Sequence, residues 1–352
     1  MDFLKKWTVL ISLASLLIAC SSPTEVVFEE EPILDEETSS SEEARIVFAG
    51  DLANDGGCAD HGSDDHCDLF EATLDLNSGA VMSVTQLTDT PESESYPVWN
   101  PNGEVVYYSI FKTAKTKDLG YVDLRSGEAG VFISGATWPE VSPDGNTLLY
   151  VENTSKKIMQ AALGEDGLSV GEGTELTGVA NQQDPDFSSD GRFVVFHSTD
   201  AGEGQGAVYD IESGETVSYG SRSGHCTFGA LGFITLCDNV SGGGIFSNYY
   251  EDGALGGVQL FVEDQKPSVL ANTDPALAVC GGTSFNYPTF CGDDEHLLVS
   301  TSCNEKGSVT FSRLFLIDLT QEEPVYYPLG LNLDEAFNGP GQSTWTVSCL
   351  AE

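Results

Sequence analysis

The sequence predicts an all-β chain built from a repeated four-stranded unit, and three observations support that prediction. A strand-turn-strand unit recurs, a separate strand signal lies between its copies, and the two ends of the folded region each look like half a unit. The fold class is an all-β, six-bladed β-propeller over residues 45–352, closed by its N- and C-terminal strands and preceded by a disordered tether.

The first copy of the unit is Pro97-Val98-Trp99-Asn100-Pro101-Asn102-Gly103, followed by Glu104-Val105-Val106-Tyr107-Tyr108-Ser109. Pro, Asn and Gly between two apolar runs read as a tight turn between strands. Pro139-Glu140-Val141-Ser142-Pro143-Asp144-Gly145 precedes Thr147-Leu148-Leu149-Tyr150, and Pro185-Asp186-Phe187-Ser188-Ser189-Asp190-Gly191 precedes Arg192-Phe193-Val194-Val195-Phe196. Asp144 and Asp190 have the look of calcium-type acids, but the repeat explains both as turn residues. A more worn copy begins at Pro288-Thr289-Phe290, and two fainter ones are Cys226-Thr227-Phe228 and Ser343-Thr344-Trp345. With the third residue of each unit as anchor, the positions 99, 141, 187, 228, 290 and 345 are separated by 42, 46, 41, 62 and 55 residues. The first three spacings match a four-stranded propeller blade. The two long ones hold Gly242-Gly243-Gly244 and the stretch Leu319 to Gly341, and read as blades with loop insertions.

Between the anchors lie Asp68-Leu69-Phe70, Leu119-Gly120-Tyr121-Val122-Asp123, Lys157-Ile158-Met159, Ala207-Val208-Tyr209-Asp210, Gln259-Leu260-Phe261-Val262 and Leu314-Phe315-Leu316-Ile317-Asp318, each a third strand. Arg45-Ile46-Val47-Phe48 looks like a second strand lacking a first, and Trp345 lies in a first strand lacking a second. Joined, they complete a sixth blade from both ends. A closed ring removes exposed sheet edges, so marginal sheets become stable together.

The strand-turn-strand unit, with Gln86-Leu87-Thr88 and Leu176-Thr177 ahead of it, resembles the TolB-type β-propeller repeat, a WD40-like family. The resemblance covers about residues 45–352 and implies a ring of blades. The chain departs from family members that add a second domain, so their role in periplasmic envelope complexes is not carried over.

The chain carries 56 acidic and 14 basic residues, a formal charge of −42, which makes nucleic acid and anionic lipid poor partners. Lys5 and Lys6 precede an apolar stretch from Trp7 to Ile18, too short to span a bilayer and right for a signal-peptide core. Leu17-Ile18-Ala19-Cys20 resembles the lipobox of bacterial lipoproteins, in which cleavage leaves an acylated Cys20. Residues 1–19 are therefore read as a lipoprotein signal peptide. Ser21 after the Cys looks like outer-membrane sorting, so the expected location is the bacterial envelope, with the membrane as a partner through the lipid. From Ser21 to Ala44 there are nine carboxylates and no basic residue. Residues 20–44 are read as the lipidated Cys and a self-repelling tether, able to hold the domain as much as about 80 Å from the lipid.

Nine Cys less Cys20 leaves eight, so four disulfides are the default in an exported chain. In blades of the family the chain resembles, the anchor strand is innermost. That resemblance implies the pairs Cys226–Cys237, Cys280–Cys303 and Cys291–Cys349, with Cys58–Cys67 as a loop pair.

Two groups are candidate sites. The segment from Cys58 to Asp68 packs two Cys, His61, His66 and four carboxylates together. Zinc on Cys58, His61, His66 and Cys67 fits no common spacing and would lose both thiolates to oxidation. Calcium through Asp60, Asp64, Asp65 and Asp68 suits the hard oxygen donors, although the regular loop spacing is absent. A solvated acidic loop is the plain alternative, and no other cofactor is expected. The repeat itself marks Tyr96, Trp138, Asp184, His225, Tyr287 and Ser343, each three residues before its anchor. Equivalent positions of a ring converge on its axis, so these six would rim one mouth of the channel. Three large aromatics with an acid and a His suit a small ligand or peptide, or else they plug the funnel. No Gly-x-Ser-x-Gly and no phosphate loop with Lys occur, and no catalytic residue is singled out. The function read from the sequence is a lipid-anchored envelope propeller, monomeric and non-enzymatic, that binds a protein or peptide. The alternatives are a propeller enzyme acting on carbohydrate or peptide, which would need an acid pair or a metal in the channel, and an acid-rich surface scaffold adapted to salt.

Overall fold

The computed structural model describes residues 42–51, 67–113, 116–198, 205–221, 223–229, 234–239, 245–251, 254–255, 259–262, 265–292, 294–305, 308–321, 323–331 and 344–351. Residues 1–41, which hold the expected signal, Cys20 and most of the expected tether, lie outside them. The described chain is an all-β propeller. Its helices are the single turn Pro267–Leu270 and the 3-10 turn Pro275–Val279. Among the described residues no helix is long and apolar enough to cross a membrane.

Five blades are built from consecutive strands. Blade one is Ser93–Trp99, Val105–Phe111, Lys117–Asp123 and Glu128–Ser134. Blade two is Ala136–Val141, Thr147–Glu152, Ile158–Ala162 and Thr174–Glu175. Blade three is Gln182–Phe187, Phe193–Ser198, Gln205–Asp210 and Glu215–Ser221. Blade four runs Ser223–Phe228, Ile234–Asn239 and Ile245–Glu251, and both Ala254–Leu255 and Gln259–Val262 pair with the last of these. Blade five is Gly282–Phe290, His296–Glu305, Ser308–Asp318 and Val325–Pro328. Where the sequence predicted six blades, the remaining sheet is composite: Thr344–Ala351, Glu43–Gly50, Asp68–Asp75 and Ala80–Gln86, in that order. Its first strand comes from one end of the chain and its other three from the opposite end. Ala44 faces Ala351 and Gly50 faces Thr344. The inner strand of the composite sheet packs against those of blades five and one, so the succession of sheets closes on itself.

The packing explains why second strands read as unbroken apolar runs. Successive side chains of a strand point to opposite faces, and here both faces are covered. Ile46 and Phe48 join Phe70, Leu298, Leu314 and Leu316 on one side, whereas Val47 joins Leu69, Trp99, Val106 and Tyr108 on the other. Tyr108 faces the composite sheet, and its neighbour Tyr107 faces Val141 and Leu148 of blade two. Gly120 lies against Tyr108, and an added Cβ would stand 2.6 Å from Cζ of that ring. Gly120→Ala is therefore expected to cost about 1–3 kcal/mol through overpacking, read as a lower urea midpoint; an unchanged midpoint would show that the ring moves aside freely.

Six of the 56 acidic residues shape hairpins. Asp75, Asp123, Asp210 and Asp318 end the third-strand runs of four sheets, and each carboxylate accepts a backbone N–H two residues on, at 2.9, 3.0, 2.9 and 2.8 Å. This is the Asx-turn chemistry that makes Asp useful there. Asp144 and Asp190 act likewise in the first hairpins, each accepting from a Ser hydroxyl at 2.6 Å, so both are turn residues.

Cys280 is bonded to Cys303 and Cys291 to Cys349, with Cα separations of 5.3 and 5.2 Å. The second bond ties blade five to the C-terminal strand of the composite sheet. Cys226 is also in a disulfide and lies opposite Cys237 in the strand register. Cys67 is in a disulfide as well, and Cys58 lies outside the described residues.

Candidate functional site: an axial cavity

Each inner strand is irregular at the same place. The ladder shifts register between Ser95 and Val98, Thr137 and Glu140, Gln183 and Asp186, Ser223 and Cys226, and Asn286 and Thr289. Four of these bulges hold a residue followed by Pro, which has no N–H to give the ladder. Tyr96, Trp138, Asp184 and Tyr287 sit there at φ of 54°, 50°, 47° and 51°. A left-handed conformation costs a non-glycine residue about 1–2 kcal/mol, so the ring of blades holds them against their preference. Neighbouring sheets help. The Tyr96 N–H donates to Thr346 Oγ1 at 3.0 Å, and the Trp138 N–H donates to Ser109 Oγ at 2.9 Å.

In the composite sheet the bulge falls at Thr346, where φ is 21° and the opposite strand shifts between Phe48 and Ala49. Thr346 is thus the counterpart of Tyr96, and Cys349 that of Trp99. Ser343, which the sequence frame placed at this position, lies outside the described residues.

The bulged side chains meet on the axis. Tyr96 packs edge-on against Trp138 at 5.8 Å and against Tyr287 at 5.7 Å, and the two Tyr hydroxyls are 3.0 Å apart. The His225 ring lies 3.6 Å from that of Tyr287, and its Nε2 is 3.4 Å from Asp184 Oδ2. Five of the six sequence-predicted residues therefore come together, as a floor rather than an open rim. On one face of Trp138 the Lys117 ammonium sits 4.4 Å from the ring centroid, and it also lies 4.5 Å from that of Phe111. Burial, helped by Lys156, pulls its pKa down to about 8.

Above this floor is a cavity of about 490 Å³. Its walls are a column the sequence reading passed over, one residue before each anchor: Val98, Glu140, Asp186, Thr227, Thr289 and, in the composite sheet, Ser348. Two of the six are carboxylic acids on adjacent blades. Burial raises the Glu140 pKa well above the usual carboxylate range, and the nearby Asp186 raises it further. Burial also pushes Asp186 up to about 6, although it accepts hydrogen bonds from the Thr227 side chain and from the Phe228 N–H at 2.9 Å. Among the described residues no Lys or Arg pairs with either acid.

Of the acidic loop, only Cys67 and Asp68 lie within the described residues; Asp60, Asp64 and Asp65 do not. Asp68 is buried, and its carboxylate accepts from Gln86 Nε2 and the Thr90 N–H, both at 3.2 Å. The disulfide at Cys67 takes away a thiolate that zinc would need. Among the described residues no three acidic, His or Cys side chains gather as a metal site.

No protein-family profile matches the chain, and no curated protein matches it. Solved structures do. TolB from Acinetobacter baumannii is similar at a TM-score of 0.60 and 16% identity, over 88% of this chain and 67% of that one. A putative TolB from Agrobacterium tumefaciens is similar at 0.53 and 13%, over 87% and 97%. A nidogen/laminin complex is similar at 0.56 and 10%, over 87% and 98%. At these identities the likeness is one of fold.

Proposed function

We propose that, on the propeller scaffold it shares with the TolB structures, this chain is a non-enzymatic binding module that takes a segment of a protein or a peptide into the axial cavity. In this reading the composite sheet is the sixth blade. Acylation of Cys20 ties the acidic tether to the outer membrane of a bacterial envelope, and the ring acts as a monomer.

One observation carries the proposal: a concave site with an aromatic floor and hydroxyl and carboxyl walls, built on positions that every sheet presents. Apolar surface with a few convergent polar groups is what ligand sites consist of. Backbone held in the left-handed region at five of those positions suits a pre-organised site.

The test is selection of peptides from a random displayed library on the immobilised full chain. Enriched peptides are expected to bind Tyr287→Ala at least tenfold more weakly, because the change removes a ring that touches both Tyr96 and His225. No enrichment, or enrichment that Tyr287→Ala leaves intact, would overturn the proposal.

A second reading has one observation in its favour. Glu140 and Asp186 give the cavity the acid pair that a propeller hydrolase or lyase would need. The binding reading is preferred because the other polar groups of the floor are already engaged with one another, Tyr96 with Tyr287 and His225 with Asp184. Mass spectrometry of a bound peptide after prolonged incubation separates the two: an unchanged mass supports a binding module, and cleavage supports an enzyme.

A further inference from the structure

We infer that the occupant of the axial cavity is recognised through an organic cation, the Lys or Arg side chain of the bound peptide. This rests on the binding reading above and adds the chemistry of the ligand.

The cavity is wide enough for a long side chain with part of its backbone. Glu140 and Asp186 face into it from adjacent blades and act on one another electrostatically. One oxygen of Asp186 is fixed by the Phe228 N–H at 2.9 Å, which aims the carboxyl. Two acids close together and partly withdrawn from water are costly to ionise, and a cation between them would offset both the burial and the mutual repulsion. Among the described residues no Lys or Arg pairs with either acid, and His225 faces Asp184 instead.

The floor fits the same guest. The faces of Tyr and Trp rings attract ammonium and guanidinium groups. Trp138 already holds one such group, since the Lys117 ammonium lies over its ring. Lys117 is not among the residues lining the cavity, so the cavity's own carboxyls are left for a guest. A divalent metal is a poorer match. Calcium asks for about six to eight converging oxygens, whereas this cavity has three carboxyls, one of them already facing His225, scattered hydroxyls and a floor of rings. At a formal charge of −42 the whole molecule draws cations toward it.

The experiment titrates the full chain calorimetrically with a heptapeptide blocked at both ends, Gly-Gly-Ala-Arg-Ala-Gly-Gly, and with its twin carrying neutral citrulline in place of Arg. The Arg peptide is expected to bind at least tenfold more tightly than the twin. That preference should vanish in the double variant Glu140→Gln with Asp186→Asn, whose side chains keep their size. Because the twin is compared on the unaltered protein, the result does not depend on the variant folding. If both peptides bind equally and Tyr287→Ala abolishes both, the cation inference falls while the binding reading stands. If neither binds and the displayed library enriches nothing, both fall.

Discussion

Replacing Cys291 and Cys349 together by Ala is expected to lower stability by about 4 kcal/mol, from the loop entropy released by a bond that spans 58 residues. For a domain of this length that is a fall of roughly 6 °C in melting temperature. The effect should exceed that of removing Cys280–Cys303, which spans 23 residues and joins the residue capping the 3-10 turn, two before Gly282–Phe290, to the strand that already pairs with Gly282–Phe290. Cys349 lies on Thr344–Ala351, the strand that completes the composite sheet, so this bond fastens the C-terminal strand to blade five. Without it that strand is held by its pairing with Glu43–Gly50, by hydrogen bonds from blades one and five such as Tyr96 N–H to Thr346 and Leu314 N–H to Thr344, and by side-chain packing. Calorimetry of the two double variants beside the parent decides the matter. Equal losses, or none at Cys291 and Cys349, would show that the ring is fastened elsewhere.

The second large effect is a fall in stability as the solution is brought from mildly acid to neutral pH. Glu94 is 1% exposed, and burial pushes its pKa up from 4.5 to about 7, despite hydrogen bonds from the hydroxyls of Thr88 and Thr90. The folded chain therefore holds this proton more tightly than the unfolded one. The contribution is fully present below about pH 4.5, is lost as pH rises to about 7, and amounts to something on the order of 3 kcal/mol. Asp186, pushed up to about 6, acts in the same direction. Asp210 works the other way: the Arg192 guanidinium holds it at about 2, so its contribution disappears only in stronger acid. Urea melts between pH 4 and 8 should thus show a maximum near pH 4–5. Glu94→Gln should flatten the decline and leave the variant more stable than the parent at pH 8. A variant weaker at pH 8 with an unchanged slope would locate the proton elsewhere. General repulsion among the carboxylates also grows with pH, and the comparison with Glu94→Gln separates it from the single buried site.

Most of the architecture was legible because a propeller writes itself locally. The unit around Trp99, Val141 and Phe187 carries its own turn residues, and second strands such as Val105–Phe111 are apolar but for Ser109 because two sheets cover them. The ring floor was legible for the same reason, since repeat positions must converge. The last unit was read out of frame. Its anchor position holds Cys349, which packs through its disulfide where other units use a large side chain, while the neighbouring Trp345 looked like the missing aromatic. Glu140 and Asp186 were hidden among 56 carboxylates that carry no distinguishing spacing, and only the column one residue before each anchor sets them apart. Glu94 could not have been found at all. Its burial comes from Cys67 and Thr88, which reach it from a different sheet and from the connection between the two.

The composite sheet also sets an order of events. Glu43–Gly50 is made before the five consecutive blades and Thr344–Ala351 after them, so a strand with both faces apolar must wait for all five before its edge is covered. An open apolar edge is a template for pairing with other chains. Vectorial synthesis thus carries a window of exposure whose length is the time taken to deliver the intervening blades. Slower delivery of the C-terminal strand should raise the fraction of chains lost to association, without any change in the stability of those that close.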